Sequence, residues 1–160
     1  MAEVPLIILL DTSVLLPSFG VDTGDDVRRV LTFLAKRRDE VRVYYSRYSI
    51  LEAVFILLRE VRQGRLGLDE ASEMAYAGVA AVTYGLEAVD ESPPVFAEAL
   101  KLYGLGHKDI FDDILYATAM VNGMFFLTVD RGLVEFIERN RLVNVALTPK
   151  GLEEKLEGRG

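Results

Sequence analysis

The chain reads as an α/β protein in which a mostly parallel sheet is covered by helices on both faces, and three observations carry that assignment. The apolar run PLIILL (5–10) lacks polar alternation, as expected of a strand buried on both faces. Strand-like and helix-like segments then alternate along the chain, which implies right-handed βαβ units. Two acids, Asp11 in LIILLDTSVL and Asp130 in FFLTVD, stand at strand tips. In open α/β sheets, sites gather at the carboxyl ends of the strands.

The elements follow in order. After the first strand, a helix starts at Asp25 or Asp26 and runs to about Arg38, with Val27, Val30, Leu31 and Leu34 on one face. VRVYYS (41–46) is the second strand. An apolar helix spans about 47–62 and is stopped by Gly64, and another covers 68–85. LEAVD (86–90) is a short third strand. Helices follow at 93–104, beginning on its prolines, and at 109–123. MFFLTVD (124–130) is the fourth strand, RGLVEFIERN a helix, VNVALT (143–148) the fifth strand, and a short polar helix closes the chain.

Composition narrows the function. At 160 residues, with 51% hydrophobic and 27% charged, the chain is expected to be one soluble domain over 1–160 with a sizeable core. The start, MAEVPLIILLD, lacks the basic n-region of a secretory signal. With no cysteine there are no disulfides and no thiolate metal sites, so a cytoplasmic location is expected. A net charge of −7 argues against a general nucleic-acid coat protein, because phosphate contacts call for basic surfaces. It leaves room for a nuclease whose carboxylates hold cations.

Each acid has an ordinary structural use. Asp11 and Asp130 suit helix caps. Ser49-x-x-Glu52 matches a capping box, although a helix beginning near Ser46 would leave Glu52 inside it. In HKDIFDDILYATA, Asp109 shares a helix face with Asp112 and with Asp113, where the helix dipole favours acids. The combination is harder to explain that way. Asp11, Glu52, Asp112 and Asp130 converge on one end of a parallel sheet, and such acids do not all stay ionised without a positive partner. With no cysteine and one histidine, the ligands are all oxygen, which selects Mg²⁺ or Mn²⁺ over zinc. Such a cluster suits attack of water on a phosphodiester.

LLDTSVLL, SILEAVFIL, DDILYATA and FFLTVD resemble, in order and with suitable gaps, the four motif blocks of the PIN domain. This family includes the ribonuclease toxins of VapBC toxin–antitoxin pairs and related RNA-processing nucleases. The resemblance covers nearly the whole chain. It implies a three-layer α/β/α sandwich with a five-stranded, mostly parallel sheet, and a Mg²⁺- or Mn²⁺-dependent endoribonuclease. It also implies frequent homodimers and, for the toxins, an antitoxin protein. Carried over by residue, the family's four acids fall on Asp11, Glu52, Asp112 and Asp130. Ser13 and Thr128 stand where members often carry a hydroxyl near the metal. Asp113 takes a place usually held by a small residue, and Asp109 matches no essential position; both are supporting candidates.

Two features set the chain apart: extra length at 64–95 and in the tail, and an acidic balance that would confine RNA to a local basic rim. Arg47, Lys108 and Arg131, each flanking a motif block, are the candidates for that rim. His107, the only histidine, reads as a loop residue. The leading expectation is therefore a metal-dependent endoribonuclease leaving a 5′-phosphate, with Asp130 serving a second ion or its water. The alternatives are a catalytically weak PIN-like module that binds a partner, and another Mg²⁺-dependent phosphatase-like α/β enzyme. A haloacid-dehalogenase-like enzyme needs a second Asp at position 13, which is Ser.

Overall fold

In the computed structural model, which describes residues 3–159, the apolar run becomes the central strand. Residues 1, 2 and 160 of the expected domain lie outside the described residues. The strands are β1 (Leu6–Leu10), β2 (Val41–Tyr45), β3 (Glu87–Ala88), β4 (Phe125–Leu127) and β5 (Ala146–Leu147), in the order β3-β2-β1-β4-β5. All four pairings are parallel, with Ile8 opposite Val43 on one side and Phe125 on the other.

The helices are α1 (Thr12–Leu15), α2 (Asp25–Lys36), α3 (Arg47–Arg62), α4 (Leu68–Gly85), α5 (Pro93–Gly104), α6 (Ile110–Val121), α7 (Arg131–Arg139) and α8 (Pro149–Glu157). Side chains of β1 alternate between the two cores, as the pleat requires. Leu6, Ile8 and Leu10 pack with Val27, Leu57, Val82 and Leu152 on one face. Leu9 packs with Leu115, Phe126, Leu133 and Ile137 on the other. Burial on both faces is why this strand tolerates no polar residue until Asp11. No helix among the described residues is long and apolar enough to cross a membrane.

The structure adds an element absent from the sequence reading. Residues 12–19 form α1 and then a 3₁₀ turn, Leu16–Phe19. Pro17 is accommodated in its first turn, where no intrahelical amide is needed, and Gly20 ends it at φ 77°. Phe19 is almost wholly buried and lies against Gly78 of α4, where a Cβ would fall 2.3 Å from the ring. The outer strands are shorter than expected. β4 spans only Phe125–Leu127; Thr128 still donates its amide to the Leu147 carbonyl at 3.0 Å, after which the chain turns so that Asp130 caps α7, and the fifth strand keeps only two residues.

The strand order places a switch point between β1 and β4: the chain runs outward from β1 through β2 to β3, then returns to the other side of β1. Ligand crevices form at such points, beyond the strand ends. Asp11 and Asp130 stand at that crevice.

Candidate metal centre

β1 delivers Asp11 with its amide bonded to the Leu127 carbonyl of β4 at 2.9 Å. Its carboxylate is enclosed by donors. Oδ1 accepts from the Thr12 amide at 2.7 Å, and Oδ2 accepts from the hydroxyls of Thr128 at 2.7 Å and Ser13 at 3.1 Å. Thr128 also accepts from the Asp130 amide at 3.0 Å, so one buried hydroxyl ties the tips of β1 and β4 together. Burial pushes the Asp11 carboxyl upward, opposed by these three hydrogen bonds. Asp11 is thus both the cap of α1 and a member of the crevice.

Glu52 lies inside α3. The helix begins at Ser46, whose side chain accepts from the Tyr48 amide, so the Ser49 capping box does not form. Glu52 is therefore free of the backbone. Its Oε2 accepts from the hydroxyl of Thr12. Thr12 was not singled out in the sequence: its use depends on α3 crossing behind α1, which local pattern does not reveal. Burial, and then the charges of Asp11 and Asp109, push the Glu52 carboxyl up to about 7.

Asp112 sits in the first turn of α6 and is 8% exposed. Its carboxylate accepts no hydrogen bond from an amide, hydroxyl or basic side chain among the described residues; Asp11, Asp109 and Asp130 bear on it instead. Burial and these like charges push it up to about 9. Asp130 is the N-cap of α7, with Oδ1 accepting from the Leu133 amide at 3.1 Å. Asp109 caps α6, accepting through Oδ1 from the amides of Phe111 at 3.0 Å and Asp112 at 3.3 Å.

Together Asp11, Glu52, Asp109, Asp112 and Asp130, with Thr12 and Ser13, line a cleft of about 220 Å³. A larger hollow, about 620 Å³ between α2, β2 and α4, is mainly apolar and holds no acid cluster, so volume alone does not locate the site. Within the cleft, Glu52, Asp109 and Asp112 each offer an oxygen within 4.8 Å of the other two. An all-oxygen set containing a buried carboxylate without a donor fits a hard divalent cation such as Mg²⁺ or Mn²⁺.

Asp113 departs from the rest. Fully buried, it turns away from the cleft and meets His107 Nδ1 at 2.6 Å. The His107 ring packs against Phe136 of α7 with centroids 5.0 Å apart. Burial raises the Asp113 carboxyl while the imidazole opposes that rise, and its Oδ2 has no partner among the described residues. His107 does lie in a loop, but as one half of a buried pair that pins the α5–α6 connection to α6. The three basic candidates are all exposed at this end of the sheet: Arg47 opens α3, Arg131 opens α7, and Lys108 lies over the Tyr103 ring at 4.8 Å. None of them lines the acidic cleft.

A family model described as PIN domain matches residues 8–138. Among solved structures, PAE2754 from Pyrobaculum aerophilum is 19% identical, with 96% of each chain covered and a TM-score of 0.61. A toxin–antitoxin complex from Klebsiella pneumoniae is similar at 14% identity, covering 89% of this chain and 97% of that one, TM-score 0.52. VapC20 from Mycobacterium tuberculosis, described as a sarcin–ricin loop cleaving toxin, is 16% identical over 73% of this chain and 84% of that one, TM-score 0.50. No curated protein matches in sequence.

Proposed function

The chain belongs to the PIN domain family, and from that premise we propose that it is a cytoplasmic endoribonuclease dependent on Mg²⁺ or Mn²⁺. The observation that carries this reading is Asp112, a buried carboxylate that meets only other carboxylates among the described residues, placed with Asp11, Glu52, Asp109 and Asp130 in one cleft. A bound divalent cation supplies Lewis acidity to a phosphodiester and lowers the pKa of water beside it. Asp11, Glu52, Asp112 and Asp130 would hold it, and three of these acids are held in turn. Thr128 and Ser13 fix Asp11, Thr12 fixes Glu52, and the Leu133 amide fixes Asp130. That rigidity matters because an orientation error of about 1 Å costs roughly a hundredfold in rate. Arg47, Lys108 and Arg131 would guide the RNA backbone along the rim of an otherwise acidic surface.

The partner in this reading is an antitoxin protein; the likeness to a toxin–antitoxin complex from Klebsiella pneumoniae supports it. A homodimer is the proposed assembly. Leu51 and Phe55 on α3 and Leu100 on α5 leave apolar surface exposed that a second copy would cover. Sedimentation at micromolar concentration tests that assembly.

Single-stranded RNA incubated with the protein and Mn²⁺ tests the activity. Products should carry a 5′-phosphate, and Asp11→Asn should abolish them. Equal cleavage by wild type and Asp11→Asn would refute the assignment.

A further inference from the structure

We infer that Asp109 ligates the divalent cation directly, adding a fifth carboxylate to the four proposed to hold it and standing closest to Glu52 and Asp112. The inference deepens the proposed metal-dependent function and rests on it. Two independent observations lead here. Glu52, Asp109 and Asp112 are the three acids, among the described residues, whose oxygens come within 4.8 Å of one another. Rotation of carboxylates closes such a set onto an ion about 2.1 Å from each. Separately, Asp112 is 8% exposed and lines this cleft, and its carboxyl receives no hydrogen bond from an amide, hydroxyl or basic group among the described residues; its hydrogen-bonding neighbour is another acid, Asp130. A buried acid of that kind needs a cation or a proton.

The roles of the other acids agree. Asp11 is already satisfied by three donors and lies deeper, at 4% exposure. Asp109 spends only Oδ1 on the two amides of α6, which leaves Oδ2 without a hydrogen-bond partner among the described residues. Capping does not explain its charge, since Asn and Ser cap a helix about as well as Asp. Its charge repels those of Glu52 and Asp112, whose carboxyls it helps to raise. A cation shared by the three offsets that repulsion. Asp109 also follows directly on the His107 loop, which the contact with Asp113 pins to α6, so its position is held from both sides.

Asp109→Asn separates a ligand from a cap, because the amide keeps an acceptor for Phe111 and Asp112 but loses the anionic oxygen. Titration calorimetry with Mn²⁺ should give an affinity for Asp109→Asn lower by roughly tenfold or more. The loss should persist at about 0.5 M KCl, where screening lengths of roughly 4 Å suppress through-space charge effects. The ion-free variant should melt no lower than wild type. Asp109→Ser, which also caps, should behave alike. An affinity within twofold of wild type, or a loss that vanishes in high salt, would overturn the inference and leave the proposed function standing. Wild-type protein that binds no Mn²⁺ would overturn both.

Discussion

The two walls of the cleft hold their acids in opposite ways. On the β1 side, Asp11 accepts three hydrogen bonds, from an amide and two hydroxyls, and its charge is met by the protein itself. On the α6 side, Asp112 is nearly as buried yet meets no such donor, only other carboxylates. Asp113, the next residue, is buried too and has His107. Asp11 and Asp113 are each met by a donor of the fold, whereas Asp112 meets only other carboxylates. The unpaired wall is the one that an external cation would complete.

The contrast is broken most forcefully by exchanging the fate of each acid. Asp112→Asn should cost on the order of a hundredfold or more in Mn²⁺-dependent RNA cleavage. The same change should raise the melting temperature of the ion-free protein in alkaline buffer, where the native carboxyl is forced to ionise. Asp11→Ala should also abolish cleavage but lower stability by about 1–3 kcal/mol, because the buried Thr128 hydroxyl loses its acceptor. If both variants shift stability in the same direction, the two walls do not differ as described.

Comparable in size is His107→Ala, which leaves Asp113 buried and alone; denaturant unfolding should show a loss of about 3 kcal/mol. Thr12→Val should barely change stability yet slow cleavage by roughly tenfold, since it frees the Glu52 carboxyl to rotate. The smallest effect belongs to Ser13→Ala. Its bond to Asp11 is the longest of the three, and removing it should change stability by about 0.5 kcal/mol.

Much of this arrangement was legible before the structure. The central strand and the five-strand alternation follow from local apolar runs, two of which end in Asp11 and Asp130; Glu52 and Asp112 lie in helices and are matched to the site through the family resemblance. Ser13 and Thr128, expected near the site through the family resemblance, both reach Asp11. What stayed hidden depends on packing between distant segments. The Thr12 hydroxyl meets Glu52 across 40 positions, and nothing in DTSVL marks it. Ser46 and Ser49 are equivalent caps by sequence; the strand's end at Tyr45 decides for Ser46. The pair His107 and Asp113 was split into a loop residue and a supporting acid. Their spacing of six brings them together only because the loop folds back onto the first turn of α6.

The sharpest test of the central claim is the melting temperature of the wild-type protein against pH, with and without Mn²⁺. Glu52 and Asp112 carry carboxyls raised to about 7 and about 9, above their unfolded values near 4. The folded state then binds more protons than the unfolded chain across that window, so stability falls as pH rises. Without the ion, melting temperature should drop from about pH 5 to about pH 9. Mn²⁺ should flatten or reverse the slope, because binding to ionised carboxylates strengthens as their protons leave. Identical slopes with and without Mn²⁺ would contradict the account.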